Sequence, residues 1–405
     1  MNRLGEVISE FVRNQELASR YGQLHPRILI VADDLTGACD AAVGFAQRGA
    51  HTQVLIDSQW TSSAPVQVRA ICTESRDLPV TQAVERLSRI VRQSNVQPHH
   101  HVFKKIDSVF RGNTSQEIQA AIEAFPDRFA VIAPSFPALG RTAVDGTIIV
   151  RDIAGERTIL VRKMLEEIGL KPAWIAAGQS AEAIEQAMQA NHESGQRAVF
   201  CDAATEDDLA AIVAAGRRLP NGVQWIGSGG LAHALASDVL GDTVQADYGS
   251  GPIAKSTVFV FVGTDHPVTL QQLSTLHQQH NAAIWPSGID MDDVPVVVFP
   301  VSFEATTEDG IRSAMARFTK QQIGCLFMTG GDTAMLVCRA LGIRALSLKQ
   351  EFEPGIPTAV AIGGDFSGAM VVLKSGGFGE AEAISRIAKH FGSAKHQGET
   401  IGVGV

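Results

Sequence analysis

The stretch ILIVADDLTGACDAAVGFAQRG, residues 28–49, reads as a strand, a turn and a helix in succession. Ile28–Ala32 is a short apolar run with β-branched residues, as in a strand covered on both faces. Polar DDLTG breaks it, and an apolar-periodic stretch runs on to Gly49. The same unit recurs outward along the chain. Further strands are expected at 54–56, 68–72, 102–104, 129–133 and 147–150, near Trp174, and at 198–201 and 223–226. Helices are expected near 80–91, 114–125, 179–190, 205–217 and 229–240. Buried strands alternating with helices predict a mostly parallel sheet with helices on both faces.

GDTVQADYGSGPIAKS, residues 241–256, has the Gly, Asp and Ser content of an interdomain linker. After it TVFVFV, residues 257–262, opens a second α/β unit. Its further strands are expected at 294–299, 324–328, 359–362 and 370–373, and its helices near 268–278, 305–320, 332–341 and 380–390. The chain is therefore expected to be α/β with two domains, 27–240 and 257–405, after an extension over 1–26. Each domain would carry a mostly parallel β-sheet flanked by helices, with the active site in the interdomain cleft.

A length of 405 residues fits two such domains. Hydrophobic residues make up 45% and charged residues 19%, which excludes a disordered chain or a coiled coil. The net charge of −9 lacks the positive field that nucleic-acid binding needs, so an anionic substrate would require a local basic cluster. The 5 cysteines, at 39, 72, 201, 325 and 338, are too scattered for a zinc ribbon or a disulfide scaffold. With no signal-peptide pattern or long apolar run, a cytoplasmic enzyme is expected. The base rate for such enzymes adds a homodimer.

In a parallel sheet, residues after strand carboxyl ends face the binding crevice. That rule selects Asp33 and Asp34, one of which would also cap the following helix. It selects KKIDSVFRGN, residues 104–113, where Lys104, Lys105, Asp107, Arg111 and Asn113 crowd one strand end. Arginine there would grip a carboxylate in a bidentate fork, with lysine as a more mobile charge. APSFPALGRT, residues 133–142, is a proline-stiffened loop that delivers Arg141. GSGGLA, residues 227–232, has dinucleotide-fingerprint spacing, but it closes the first domain instead of opening one. Tight helix–sheet packing or a single anion suits it better than NAD. The histidine run at 99–101 precedes a strand and reads as a solvated loop.

The second domain places glycine at one strand end after another: Gly263 and Thr264; Gly330, Gly331, Asp332 and Thr333; Gly363 and Gly364; and Lys374 with Gly376, Gly377 and Gly379. Such positions let backbone N–H groups approach phosphate and ribose. No P-loop sequence occurs.

ADDLTGA (32–38), KKIDSVFRGN, APSFPALGRT, TGGDTA (329–334) and KSGGFG (374–379), in this order, resemble the four-carbon acid sugar kinase family, long catalogued as a domain of unknown function. The resemblance runs from about residue 27 to about residue 392. It implies an ATP-dependent, magnesium-using kinase that phosphorylates the terminal hydroxyl of D-threonate, D-erythronate or a 3-oxo-tetronate. Asp33, Asp34, Lys105, Asp107 and Arg111 would serve the sugar acid, with Arg141 nearby, and the glycine sites would serve the nucleotide. Asp34 ranks first as base, then Asp33 and Asp107; the metal ligands stay open. Asp265 and His266 stand where relatives carry small polar residues. TGGDTA differs from the GGETS-like form of 3-oxo-tetronate members and favours an aldonate. An NAD-dependent dehydrogenase and a non-catalytic metabolite-binding protein are the alternatives from the residues alone.

Overall fold

The computed structural model describes residues 27–392 apart from 57–65, 95, 97–99, 153–154, 221, 244–255, 281, 287–293 and 304. The expected extension over 1–26, most of the expected linker and His99 lie outside the described residues. The first half carries strands β1 (Ile28–Ala32), β2 (Thr52–Leu55), β3 (Val68–Cys72), β4 (His101–Lys105), β5 (Phe129–Ala133), β6 (Arg141–Val144), β7 (Thr147–Asp152), β8 (Gly155–Ile159), β9 (Ala173–Ile175), β10 (Ala198–Cys201) and β11 (Val223–Gly227). Its helices are α1 (Leu35–Ala46), α2 (Val80–Gln93), α3 (Thr114–Ala124), α4 (Val161–Glu167), α5 (Ala181–Glu193), α6 (Glu206–Arg217) and α7 (Gly229–Leu240). The second half carries β12 (Thr257–Val262), β13 (Ala282–Ile284), β14 (Val296–Pro300), β15 (Ile323–Thr329), β16 (Ala345–Glu353), β17 (Ile356–Ile362) and β18 (Met370–Lys374). Packed on them are α8 (Pro267–Gln279), α9 (Glu308–Met315), α10 (Gly331–Ala340) and α11 (Ala383–Phe391). No helix among the described residues is long and apolar enough to cross a membrane.

Both domains are α/β, and parallel pairing dominates each, as the alternation predicts. The two sheets are nevertheless one. Fifteen strands follow the order β13-β14-β12-β15-β18-β17-β16-β2-β3-β1-β4-β11-β5-β10-β9. The splice is antiparallel: Ala345 lies opposite Leu55 and Ser347 opposite Gln53. No strand is expected over 345–353 from the sequence, because Lys349, Gln350 and Glu351 interrupt the apolar signal there. Leu346 and Leu348 are buried all the same. Strands β6, β7 and β8 form a separate antiparallel ribbon.

Helix α1 sits at the junction. Asp34 caps it, Oδ1 accepting from the Gly37 amide at 2.8 Å, and every residue from Leu35 to Phe45 is buried. A helix that is apolar all round must be covered all round. One continuous hydrophobic cluster supplies the cover, joining Val43 and Phe45 to Met335 and Leu346 of the second half.

On β4, side chains alternate between faces, and this separates the two lysines. Lys104 does not join the basic cluster expected of it. Its Nζ lies 2.7 Å from the buried Glu117 of α3 and donates to the Lys105 carbonyl. Breaking a buried pair by removing one partner costs about 3–5 kcal/mol, because the other charge is left uncompensated. Lys104→Met is expected to lose stability on that scale in denaturant unfolding, and Lys104→Met/Glu117→Leu to recover much of it. An unchanged midpoint in the single variant would refute the pairing.

Candidate active site

A cleft of about 560 Å³ opens between the two domains. The first domain lines it with Asp34, Thr36, Gly37 and Asp40 from the β1–α1 unit, with Arg76 and Asp77 after β3, and with Lys105, Asp107 and Arg111 after β4. Arg141 and Arg157 of the antiparallel ribbon close one side. The opposite wall is mostly backbone and hydroxyl: Gly263, Thr264, Gly330, Gly331, Thr333, Ser375, Gly376 and Gly377, with Asp332, His266 and Phe303. The amino ends of α1, α7, α8 and α10 all border this space, contributing Thr36, Ser228, His266 and Gly331. Helix amino ends carry unpaired N–H groups and partial positive charge, which suits phosphate.

The walls meet at Gly331, where a methyl group would collide with the Asp34 carboxylate. Gly330, before it, has φ +97°, a backbone that disfavours other residues. Ser375 Oγ also donates to Thr36 Oγ1 across the cleft, at 3.2 Å.

Arg76 holds the first wall together. Its Nε lies 2.7 Å from Asp33, its Nη1 2.9 Å from Asp34 and its Nη2 3.5 Å from Asp107. Sequence reasoning misses it, although TESRD follows the carboxyl end of β3 and the strand-end rule would have reached it. Burial would raise the Asp34 carboxyl, but Arg76, Lys105, Thr36 and the Gly37 amide hold it below its ordinary value. Asp107 is likewise held well below, against burial, by Arg111 and Arg76. Its Oδ2 takes Arg111 Nη2 at 2.5 Å, and its Oδ1 accepts from the Val109 amide at 2.9 Å. Burial raises Asp33, with Arg76 opposing; it does not line the cleft, and its Oδ1 is without a partner among the described residues.

Asp40 is the second residue that sequence reasoning misses. The available signal is that it is the one charged side chain inside an otherwise apolar helix. It is buried, lines the cleft, and has an Oδ1 without a hydrogen-bond partner among the described residues. Lys105 Nζ stands 3.9 Å from its Oδ2. Burial raises its carboxyl to about 6; Lys105 and His233 oppose the shift, while Glu351 and Asp34 add to it.

Several expected site residues lie elsewhere. Asn113 does not face the cleft; its Nδ2 donates to the Ser75 and Leu78 carbonyls, at 2.9 and 2.7 Å, and clamps the loop that carries Arg76. Gly363 and Gly364 do not line it either. They follow β17, which runs antiparallel to β18, so its carboxyl end lies beside Gly342 and Arg344, far from the Lys374 loop. Lys374 is fully buried beneath that loop, and its Nζ donates to the Ser375 and Gly376 carbonyls at 2.9 and 3.0 Å and to Thr269 Oγ1. Burial pulls its ammonium down to about 7. Gly379 is behind the wall, its carbonyl accepting from Gln272. Asp265 is exposed and outside the cleft lining, whereas His266 lines the cleft and caps α8, Nδ1 accepting from the Val268 amide at 3.3 Å. The glycines of GSGGLA pack against protein: side chains at Gly227, Gly229 and Gly230 would strike Ala133, Asp40 and Ser135.

Comparison with known proteins matches two family models in succession along the chain. Residues 28–167 and 157–235 match a family model described as a sugar-binding N-terminal domain, and residues 298–384 match one described as a nucleotide-binding C-terminal domain. A D-threonate kinase of Cupriavidus necator is 29% identical over 411 residues, covering 88% of this chain and 96% of that protein. A D-erythronate kinase of Heliobacterium modesticaldum is 26% identical over 425 residues, covering 88% and 95%. The crystal structure of a Salmonella typhimurium LT2 protein shares the fold, with a TM-score of 0.70 at 21% identity over 90% of this chain and 99% of that one. With both halves matched in order around one cleft, the chain belongs to the DUF1537 family of four-carbon sugar-acid kinases, whose activity is ATP-dependent.

Proposed function

We propose that the chain transfers the γ-phosphoryl group of ATP to the terminal hydroxyl of D-threonate or D-erythronate, giving the 4-phosphate and ADP. The observation that carries this reading is the asymmetry of the cleft. One wall presents Arg76, Lys105, Arg111, Arg141 and Arg157 among its carboxylates, and the other presents glycine backbone, hydroxyls and the amino ends of α8 and α10. Cationic side chains suit a small carboxylate, and fixed N–H groups suit a polyphosphate. The TGGDTA form and the named activities of the two relatives favour an aldonate over a 3-oxo-tetronate.

Arg111 is the grip for the acid group: its side chain is 59% exposed, and Asp107 orients it. Asp34 and Asp107 have both oxygens committed to the protein and Asp33 does not line the cleft, whereas Asp40 lines it with a carboxyl raised to about 6. Asp40 is therefore assigned as the group that orients and deprotonates the hydroxyl, ahead of the three carboxylates that the sequence favours. Magnesium, which the kinase reading implies, would be held from Asp332, a carboxylate on the nucleotide wall of the cleft. Carboxylate oxygen suits such a hard divalent cation. When bound, the ion would neutralise phosphate charge.

Purified enzyme with ATP, magnesium and a panel of four-carbon acids is expected to release ADP and form a 4-phosphate, with its position assigned by phosphorus–carbon coupling in NMR. No turnover on any member would end the kinase reading; preference for a 3-oxo acid would replace the aldonate.

Asp40→Asn is expected to lower kcat at least about 100-fold, the usual share of a general base, with the KM for ATP little changed. Because the carboxylate form is the active one, wild-type kcat should fall as pH drops through about 6, and the residual activity of the variant should lack that limb. A retained limb would remove Asp40 from the role. Arg111→Ala should raise the KM for the acid roughly tenfold, the cost of one charge-assisted hydrogen bond, and leave kcat nearly intact; a kcat loss alone would contradict the grip.

A further inference from the structure

A second cleft, of about 350 Å³, is lined by residues of both domains. Its floor is apolar, formed by the buried Ile56, Ile90 and Ile343. Its rim carries Arg86 and Arg89 from α2, in the first domain, and Arg339 and Arg344 from the second. Four guanidiniums face a single lining carboxylate, Glu74, in a chain whose net charge is −9. Two of the four are committed. Arg86 Nη1 donates to the Thr73 carbonyl at 3.1 Å and more weakly to the Glu74 carbonyl, and Arg339 Nη2 lies 2.5 Å from Glu74 Oε1. The side chains of Arg89 and Arg344 have no hydrogen-bond or ion-pair partner among the described residues. Glu74 itself has φ +49°, an uncommon conformation for a residue with a side chain. The Gly363–Gly364 turn, which the catalytic cleft leaves unused, packs beside Arg344.

We propose that this cleft is a second anion site, taking a small organic molecule with two or more carboxylate or phosphate groups that bridges the domains through Arg89 and Arg344. An apolar floor under a cationic rim fits a short carbon body with anionic ends, and planar guanidiniums bind either oxyanion bidentately. The cationic excess is built in, because the arginines come from both domains and only one carboxylate answers them. Two elements run from this site to the catalytic cleft. The segment Thr73–Asp77 places Thr73 and Glu74 here and Arg76 and Asp77 there. Helix α10, roughly 15 Å long, begins at Gly331 in one cleft and brings Arg339 to the other. A ligand held here therefore sits on the same loop that aims Arg76.

The site is independent of the phosphoryl-transfer reading, and its test needs no turnover. Inorganic pyrophosphate and, separately, tricarballylate would be titrated calorimetrically into the full chain, into Arg89→Ala/Arg344→Ala and into Lys105→Ala/Arg111→Ala. At least one probe should saturate the wild type at submillimolar concentration. Its affinity should fall about tenfold or more in the first variant, since each charge-assisted bond is worth about a decade. In the second variant that affinity should hold. The tighter probe identifies the group as phosphate or carboxylate. The site is refuted if neither probe saturates the wild type, if the first variant binds as the wild type does, or if affinity is lost only in the second, which would place the probe in the catalytic cleft. The substituted side chains of the first variant are exposed, so its fold should be retained; a cooperative unfolding transition at the wild-type midpoint checks this.

Discussion

Burial of α1 between the domains fixes the groups that line the catalytic cleft. The helix has no solvent-facing stripe over Leu35–Phe45, so its position is set from every side by close packing. Its first turn offers Thr36 and Gly37 to the cleft, and one turn further on it offers Asp40. None of these can shift without moving core residues of both halves. A site made by two domains gains from a part that belongs structurally to both, because rigid support keeps reacting groups in place.

The carboxylates beside it divide their work according to what surrounds them. Arg76 neutralises a crowded set of acids that would otherwise repel one another in a poorly hydrated setting, and Asp33, Asp34 and Asp107 all lean on it. That stabilisation has a chemical effect. An acid pinned by two or three donors is a poor base, however well placed, because its charged form is already satisfied. Asp40 faces a lysine at longer range and keeps its affinity for a proton. Asp34 and Asp40, six positions apart, thus differ in proton affinity through their surroundings and not their residue type.

Much of this was legible in the residues, and the gaps have identifiable causes. Strand-end logic finds Asp34, Lys105, Asp107, Arg111 and most of the glycine wall, because parallel strands deliver their carboxyl ends to one crevice. It fails at Gly363 and Gly364, since nothing local tells that β17 runs the other way. It also passes over Asp40, which lies inside a helix, and it groups Lys104 with Lys105 although a strand points consecutive side chains to opposite faces. Asn113 is chemically apt for a ligand, yet the carbonyls it holds come from a loop more than thirty positions away. Long-range pairing of that kind leaves no periodic trace. Strand β16 is hidden for a related reason: its strand character comes from the neighbours it joins, and its own composition is mixed.

Because β16 pairs with β2, the two halves of the molecule share one hydrogen-bonded ladder. Backbone hydrogen bonds run without a break from one outer edge of the sheet to the other. A pivot at one or two residues would tear the ladder at the splice, so any movement of one wall against the other would be spread over the strands as a change in sheet twist. Twist is a soft coordinate distributed over many strands, each rotated only slightly from the next. Such a movement resembles wringing a cloth more than shutting a door, and a substitution that stiffens Gln53–Leu55 or Ala345–Ser347 would be felt at Gly331 and Asp34 without touching either.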